Sequence, residues 1–195
     1  MKSKTHQLVL TALMIALMIV LQMTGIGLIR LGVINITFYC TVIAIGSMVL
    51  GLKSGLIQGF AFGTISLISA IQAPSGLVAP LTSTAMGWPL VALMCYVPRL
   101  MVPVTSHCVY TMLRRKKVNL HVSVGAGAAA GSLCNTILYL GIMLVNYSVT
   151  VADYPGLLIT VGTIALTGGI PEAIVASLVA SPVVIALKKI YKQDR

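Results

Sequence analysis

The chain of 195 residues is 58% hydrophobic and only 8% charged, with a mean hydropathy of +1.03. It has too few polar side chains to cover a water-soluble globule, so most of its perimeter must face lipid. Thirteen Lys and Arg against three Asp and Glu give a formal charge of +10, but these cations sit in short patches beside apolar runs without interleaved aromatics, which argues against a nucleic-acid partner.

A helix needs roughly 20 apolar residues to cross the hydrocarbon core. In chain order the apolar runs predict helices near residues 7–28, 34–51, 54–72, 86–112, 119–146 and 157–187. The expectation is an all-α membrane protein, a six-transmembrane-helix bundle forming a single integral membrane domain over 1–195. The first run follows Lys2 and Lys4 as a signal peptide would. It is too long for one, however, and no small-residue cleavage site closes it. The second run is the shortest of the six.

Charge orients these spans. With the N-terminus cytoplasmic and six crossings, Lys2, Lys4, Lys53, Arg114, Arg115, Lys116, Lys117, Lys188, Lys189, Lys192 and Arg195 fall on the inner side. The outer loops hold only Arg30. This asymmetry is the positive-inside pattern, so both termini are expected to be cytoplasmic and the chain to be a multi-pass protein of a cell membrane. The outer loops, 22–36 and 72–86, are rich in Gly, Pro, Ser, Thr and Gln. They could close as lids over a bound molecule or simply lie at the interface.

Several chemistries find no support. Cys40, Cys95, Cys108 and Cys134 show no metal-ligand spacing, and His6, His107 and His121 are scattered, so no metal or other cofactor is expected. Gly51–Lys53–Ser54 echoes only the end of a phosphate loop and lacks its upstream glycine, which argues against ATP hydrolysis by this chain. Of the acids Asp153, Glu172 and Asp194, only Glu172 falls within a span. A paired-carboxylate mechanism therefore lacks a second member, and the chain is not expected to be an enzyme.

The polar residues inside the spans are more informative. Arg99 interrupts the fourth span, where a central arginine costs roughly 2.5–3.5 kcal/mol on insertion scales. Arg99 and Glu172 both lie roughly 20 Å along their helices at 1.5 Å per residue, and Asn135 with Thr136 falls near the same level. An Arg99–Glu172 ion pair joining two helices is one reading. A guanidinium offered to an anionic ligand, with Glu172 orienting it from behind, is the other. Gly168, Gly169 and Pro171 interrupt the sixth span, either as a broken helix lining a cavity or as a proline kink. Small residues recur at four-residue spacing at Gly51, Gly55, Gly59 and Gly63, and at Ala12 and Ala16. Such stripes allow close helix approach, within the chain or to a partner. Gly125, Gly127, Ala128 and Gly131 form a third small-residue patch.

The order of these features resembles a known family. Thr11–Leu17 with Ala12 and Ala16, Leu31–Gly32–Val33–Ile34–Asn35–Ile36–Thr37, Gly59–Phe60–Ala61–Phe62–Gly63, Val97–Pro98–Arg99–Leu100, Asn135–Thr136 and Gly169–Ile170–Pro171–Glu172 together resemble the S components of energy-coupling factor importers, in particular their pantothenate-type members. The resemblance implies a six-helix protein that captures a vitamin from outside. It also implies docking through the Ala12 and Ala16 face onto a membrane scaffold subunit, the T component, driven by two ABC-type ATPases. Carried over by motif, Asn35, Arg99, Asn135 and Thr136 become substrate contacts and Glu172 a supporting residue. Arg99 would suit the carboxylate of pantothenate and Asn135 its amide and hydroxyl groups. One departure is that a His-x-Pro is expected after the Asn-x-Thr element, where this chain has Cys40–Thr41–Val42. The vitamin therefore stays open, with folate or another small vitamin as an alternative. An oligomeric membrane channel or a membrane enzyme is the alternative of a different class.

Overall fold

The computed structural model describes residues 4–24, 28–31, 34–74, 76–83, 87–150 and 156–193, with the backbone alone at 28–31, 34–37 and 190–193. The elements are helix α1 (Lys4–Thr24), an antiparallel ribbon of strands β1 (Leu28–Leu31) and β2 (Ile34–Thr37), and helices α2 (Tyr39–Val49), α3 (Leu52–Gln72), α4 (Ala79–Thr82), α5 (Gly87–Arg115), α6 (Leu120–Thr150) and α7 (Leu157–Ile164). A π-helical turn (Ala165–Gly169) then leads into α8 (Ile170–Gln193). Among the described residues, five helical stretches are long and apolar enough to cross a membrane: Lys4–Thr24, Leu52–Gln72, Gly87–Arg115, Leu120–Thr150 and Leu157–Lys189.

The second expected span is where sequence and structure part. Residues 34–37 are extended, and the helix begins only at Tyr39. The cause is local, since β-branched residues alternating with polar ones over Ile34–Thr37 suit a strand. At 1.5 Å per residue α2 is about 16 Å long, half the hydrocarbon thickness. Every α2 residue from Tyr39 to Met48 is buried, and the helix contacts α1, α3, α5, α6 and α8. It is apolar all round because it is surrounded by protein.

Small residues set the distances between the helices around it. A Cβ on Gly55 would meet Pro103 and Ser47 at 2.7 Å, on Gly59 the Arg99 carbonyl at 2.6 Å, and on Gly63 the Tyr96 ring at 2.6 Å. Gly55, Gly59 and Gly63 of the glycine stripe thus form the α3 face against α5, with Gly55 also meeting α2, whereas Gly51 precedes the helix and a Cβ there would meet nothing within 4 Å. The patch on α6 serves in the same way. Gly127 and Gly131 admit Ser106 of α5, and Gly125 admits Ser177 of α8.

The sixth span is not broken. It continues through the π-helical turn, in which the Ile170 N–H bonds the Ala165 carbonyl five residues back. Pro171 follows and has no N–H to continue the normal ladder, so the extra residue in the turn is absorbed there. The connection between α5 and α6 is also read from its hydrogen bonds. Val118 N–H bonds the Leu113 carbonyl and Lys117 N–H the Arg114 carbonyl, both at 3.1 Å, with Lys117 left-handed at φ 58°. This 6→1 and 5→2 pair is a Schellman closure.

The helices alternate in direction, which puts Lys4, Lys53, Arg114–Lys117, Lys188 and Lys189 at one end of the bundle. Lys188 there caps Tyr110, its Nζ bonding the phenol oxygen and lying 4.3 Å from the ring centre. The ribbon, α4 and the start of α7 occupy the other end.

Candidate functional site

A cavity of about 270 Å³ opens in the half of the bundle away from the basic end. Tyr39, Phe62, Met94, Cys95, Arg99 and Tyr139 line it, with Gln22 and Ser69 on the α1 and α3 side. Its size lies near the lower bound of ligand pockets, roughly 300–1,000 Å³.

The Arg99 geometry follows from its neighbours in sequence. Pro98 has no N–H, so the Met94 carbonyl four residues earlier loses its helical donor. Arg99 is 9% exposed and folds back along α5 to donate Nη1 to that carbonyl at 2.8 Å. Pro103 does the same to the Arg99 carbonyl, and it is there that Gly59 lets the α3 backbone approach. Aromatic rings flank the guanidinium, with Tyr139 4.6 Å and Phe62 5.3 Å from Cζ to ring centre. Such contacts each contribute about 0.5–2 kcal/mol to holding a desolvated cation. Nε remains buried without a hydrogen-bond partner. The side chain is therefore fixed by one nitrogen and two rings, and retains one buried donor that no protein group uses.

The aromatic wall is itself held in place. Tyr39 stacks on Phe62 with ring centres 4.7 Å apart, and its hydroxyl donates to Gln22 Oε1 at 2.7 Å. Gln22 Nε2 donates to Ser69 Oγ at 3.0 Å. None of Tyr39, Phe62, Tyr139 or Gln22 stands out in the sequence as a site residue. The only sequence-level pointer is that Tyr139 lies one turn beyond Asn135, on the same helix face. Two of the seven tyrosines, Tyr39 and Tyr139, line the cavity.

The remaining expected site residues are distributed as follows. Glu172 is buried at the start of α8, within electrostatic reach of the Cys40 thiol, as is Arg99. Arg99, Cys40 and Glu172 are thus neighbours. Asn135 Oδ1 is buried without a partner, one turn from Tyr139. The Thr136 methyl sits where a Cβ on Gly169 would fall, 2.7 Å away, and its hydroxyl donates to the Ser132 carbonyl at 3.2 Å. Neither Asn135 nor Thr136 is among the described lining of the cavity. The Asn35 side chain lies outside the described residues, while its backbone pairs with Arg30 in the ribbon. Ala12 and Ala16 are exposed on α1.

Comparison with known proteins identifies a family and a relative. The model of the family "ECF transporter, substrate-specific component" matches residues 6–184. The chain is also similar to the pantothenic acid transporter PanT of Lactococcus lactis subsp. cremoris (strain MG1363), at 28% identity over 196 residues and 96% of each chain.

Proposed function

Since the chain belongs to the substrate-specific component family of ECF transporters, and is a multi-pass cell-membrane protein of transport rather than an enzyme, we propose that its cavity binds pantothenate from outside the cell. The Arg99 guanidinium carries this reading. It is desolvated, held by the Met94 carbonyl and two rings, and has a donor to spare. Charge-assisted, two-point pairing with a carboxylate is what a guanidinium does best. The similarity to a relative named as a pantothenic acid transporter supports the choice of vitamin. In this reading Arg99 takes the carboxylate and Asn135 the amide and hydroxyl groups, with Asn35 and Thr136 as further contacts that, like Asn135, lie outside the described lining of the cavity, and Glu172 supports Arg99.

The family also implies an assembly with a membrane scaffold and two ABC-type ATPases. The exposed Ala12 and Ala16 on α1 suit a docking face, because small side chains let a partner helix approach closely. The clustering of basic residues at one end supports cytoplasmic termini. Six crossings follow if α2 is counted with the extended segment before it. Four strand residues at about 3.3 Å and eleven helical ones at 1.5 Å together reach roughly 30 Å.

A screen by thermal shift and calorimetry against pantothenate, folate, riboflavin, thiamin and biotin tests the reading, because a ligand that binds only the folded state raises apparent stability. A selective response to pantothenate is expected. A response to another vitamin would transfer the assignment, an outcome that Cys40–Thr41–Val42 in place of His-x-Pro makes worth including. No response from the folded protein to any of the five would overturn the pocket assignment.

A further inference from the structure

The first helix is the least embedded of the long helices: 11% of its span is buried, against 28% or more in the others. What ties it to the bundle is a series of side-chain contacts along its length. Thr11 Oγ1 bonds Ser54 Oγ, the Met14 sulfur accepts from Gln58 Nε2 at 3.2 Å, and Gln22 bonds both Ser69 and Tyr39. Thr11 and Met14 make their bonds in the basic-end half, and Met18, fully buried, packs into the apolar cluster that includes Tyr39 and Phe62. Gln22 differs because its hydrogen-bond partners belong to the cavity wall. From Gln22 the contacts run without a gap through the Tyr39 hydroxyl, the Tyr39–Phe62 stack and the Phe62–Arg99 cation–π contact to the guanidinium.

We infer that Gln22 is a latch, a positioning residue through which the seat of α1 in the bundle sets the grip of the Arg99 cage on its ligand. Its amide is suited to the task, accepting from Tyr39 with one atom and donating to Ser69 with the other, so it cross-links three helices from one side chain. While α1 is seated, the Tyr39 ring is held flat on Phe62 and the cage is closed. When α1 moves away, both bonds break together, the Tyr39 hydroxyl loses its acceptor and the wall of rings beside Arg99 is free to turn. Gln22 itself borders the cavity, and the latch joins a loosely packed helix to the wall of rings beside Arg99.

This inference rests on the pantothenate reading, and its test separates the two. Dissociation of radiolabelled pantothenate from the purified full-length protein is followed after dilution into unlabelled ligand, for wild type, Gln22→Leu, Tyr39→Phe and the double variant, alongside the melting temperature without ligand. A net hydrogen bond is worth a modest free energy, so each single variant is expected to release ligand about three- to tenfold faster. The double variant should release it no faster than the quicker single one, because both changes cut the same link. Rate effects that multiply in the double variant, or unchanged rates in the single ones, would overturn the latch. Parallel losses of melting temperature without faster release would likewise assign Gln22 to packing alone. Should Gln22→Leu fail to fold, Tyr39→Phe keeps the ring stack and reads out the same bond. Failure of the wild type to hold pantothenate at all sinks the ligand assignment instead.

Discussion

The two halves of the bundle are built on opposite principles. Towards the basic end, Gly55, Gly127 and Gly131 bring helices so close that a single Cβ has no room, and Ser47 and Ser106 fill what remains. Towards the other end the helices are separated by large rings, Tyr39, Phe62 and Tyr139, and the space between them is the cavity around Arg99. Gly59 and Gly63 lie at the changeover, meeting the Arg99 carbonyl and the Tyr96 ring. The closely packed half has the rigidity of an interior near crystal density, and it is from this base that a charged side chain is held at depth.

The contrast can be broken first at its polar centre. Arg99→Ala removes the charge and its donors, and pantothenate affinity should fall at least about 100-fold, as expected for lost charge-assisted hydrogen bonds. Calorimetry measures the loss, and an unchanged thermal unfolding curve would separate a ligand contact from a structural one. Next is the close-packed half. Gly59→Ala places a Cβ 2.6 Å from a backbone carbonyl, so α3 must shift, and overpacking of this kind costs about 1–3 kcal/mol. A lower melting temperature in detergent is the expected result. Tyr139→Leu is smaller in effect and confined to the open half. Loss of one ring from the cage should weaken ligand binding about three- to tenfold, while Tyr139→Phe should stay near wild type. Smallest of all is Gly141→Ala, where nothing lies within 4 Å of the added methyl. Its melting temperature should match or slightly exceed wild type, since alanine is the better helix former.

Much of this arrangement is legible in the chain, for identifiable reasons. Long apolar runs reveal the five long helices, because lipid demands them. Arg99 and Glu172 stand out because a charge within such a run is costly. The shortness of α2 is less visible, since an apolar run reads alike whether it faces lipid or protein, and only the pattern Ile34–Thr37 hints at the extended segment before it. The π-helical turn is hidden for a similar reason. Gly168, Gly169 and Pro171 signal irregularity without specifying whether the helix breaks or widens. The cage around Arg99 was the least accessible part. A tyrosine in an apolar helix ordinarily marks a membrane interface, and nothing local tells Tyr39 or Tyr139 from one of those. Pro98 was the exception, because the carbonyl it frees at Met94 can be counted four residues back.

The most direct test of the central claim compares pantothenate with panthenol, in which a hydroxymethyl group replaces the carboxylate, by calorimetry on the purified protein and on Arg99→Met. The Arg99 cage predicts that wild type prefers pantothenate by about 100-fold, from charge-assisted pairing, and that the preference disappears in Arg99→Met. Equal affinity of wild type for the two ligands, or a preference that survives in the variant, would contradict it.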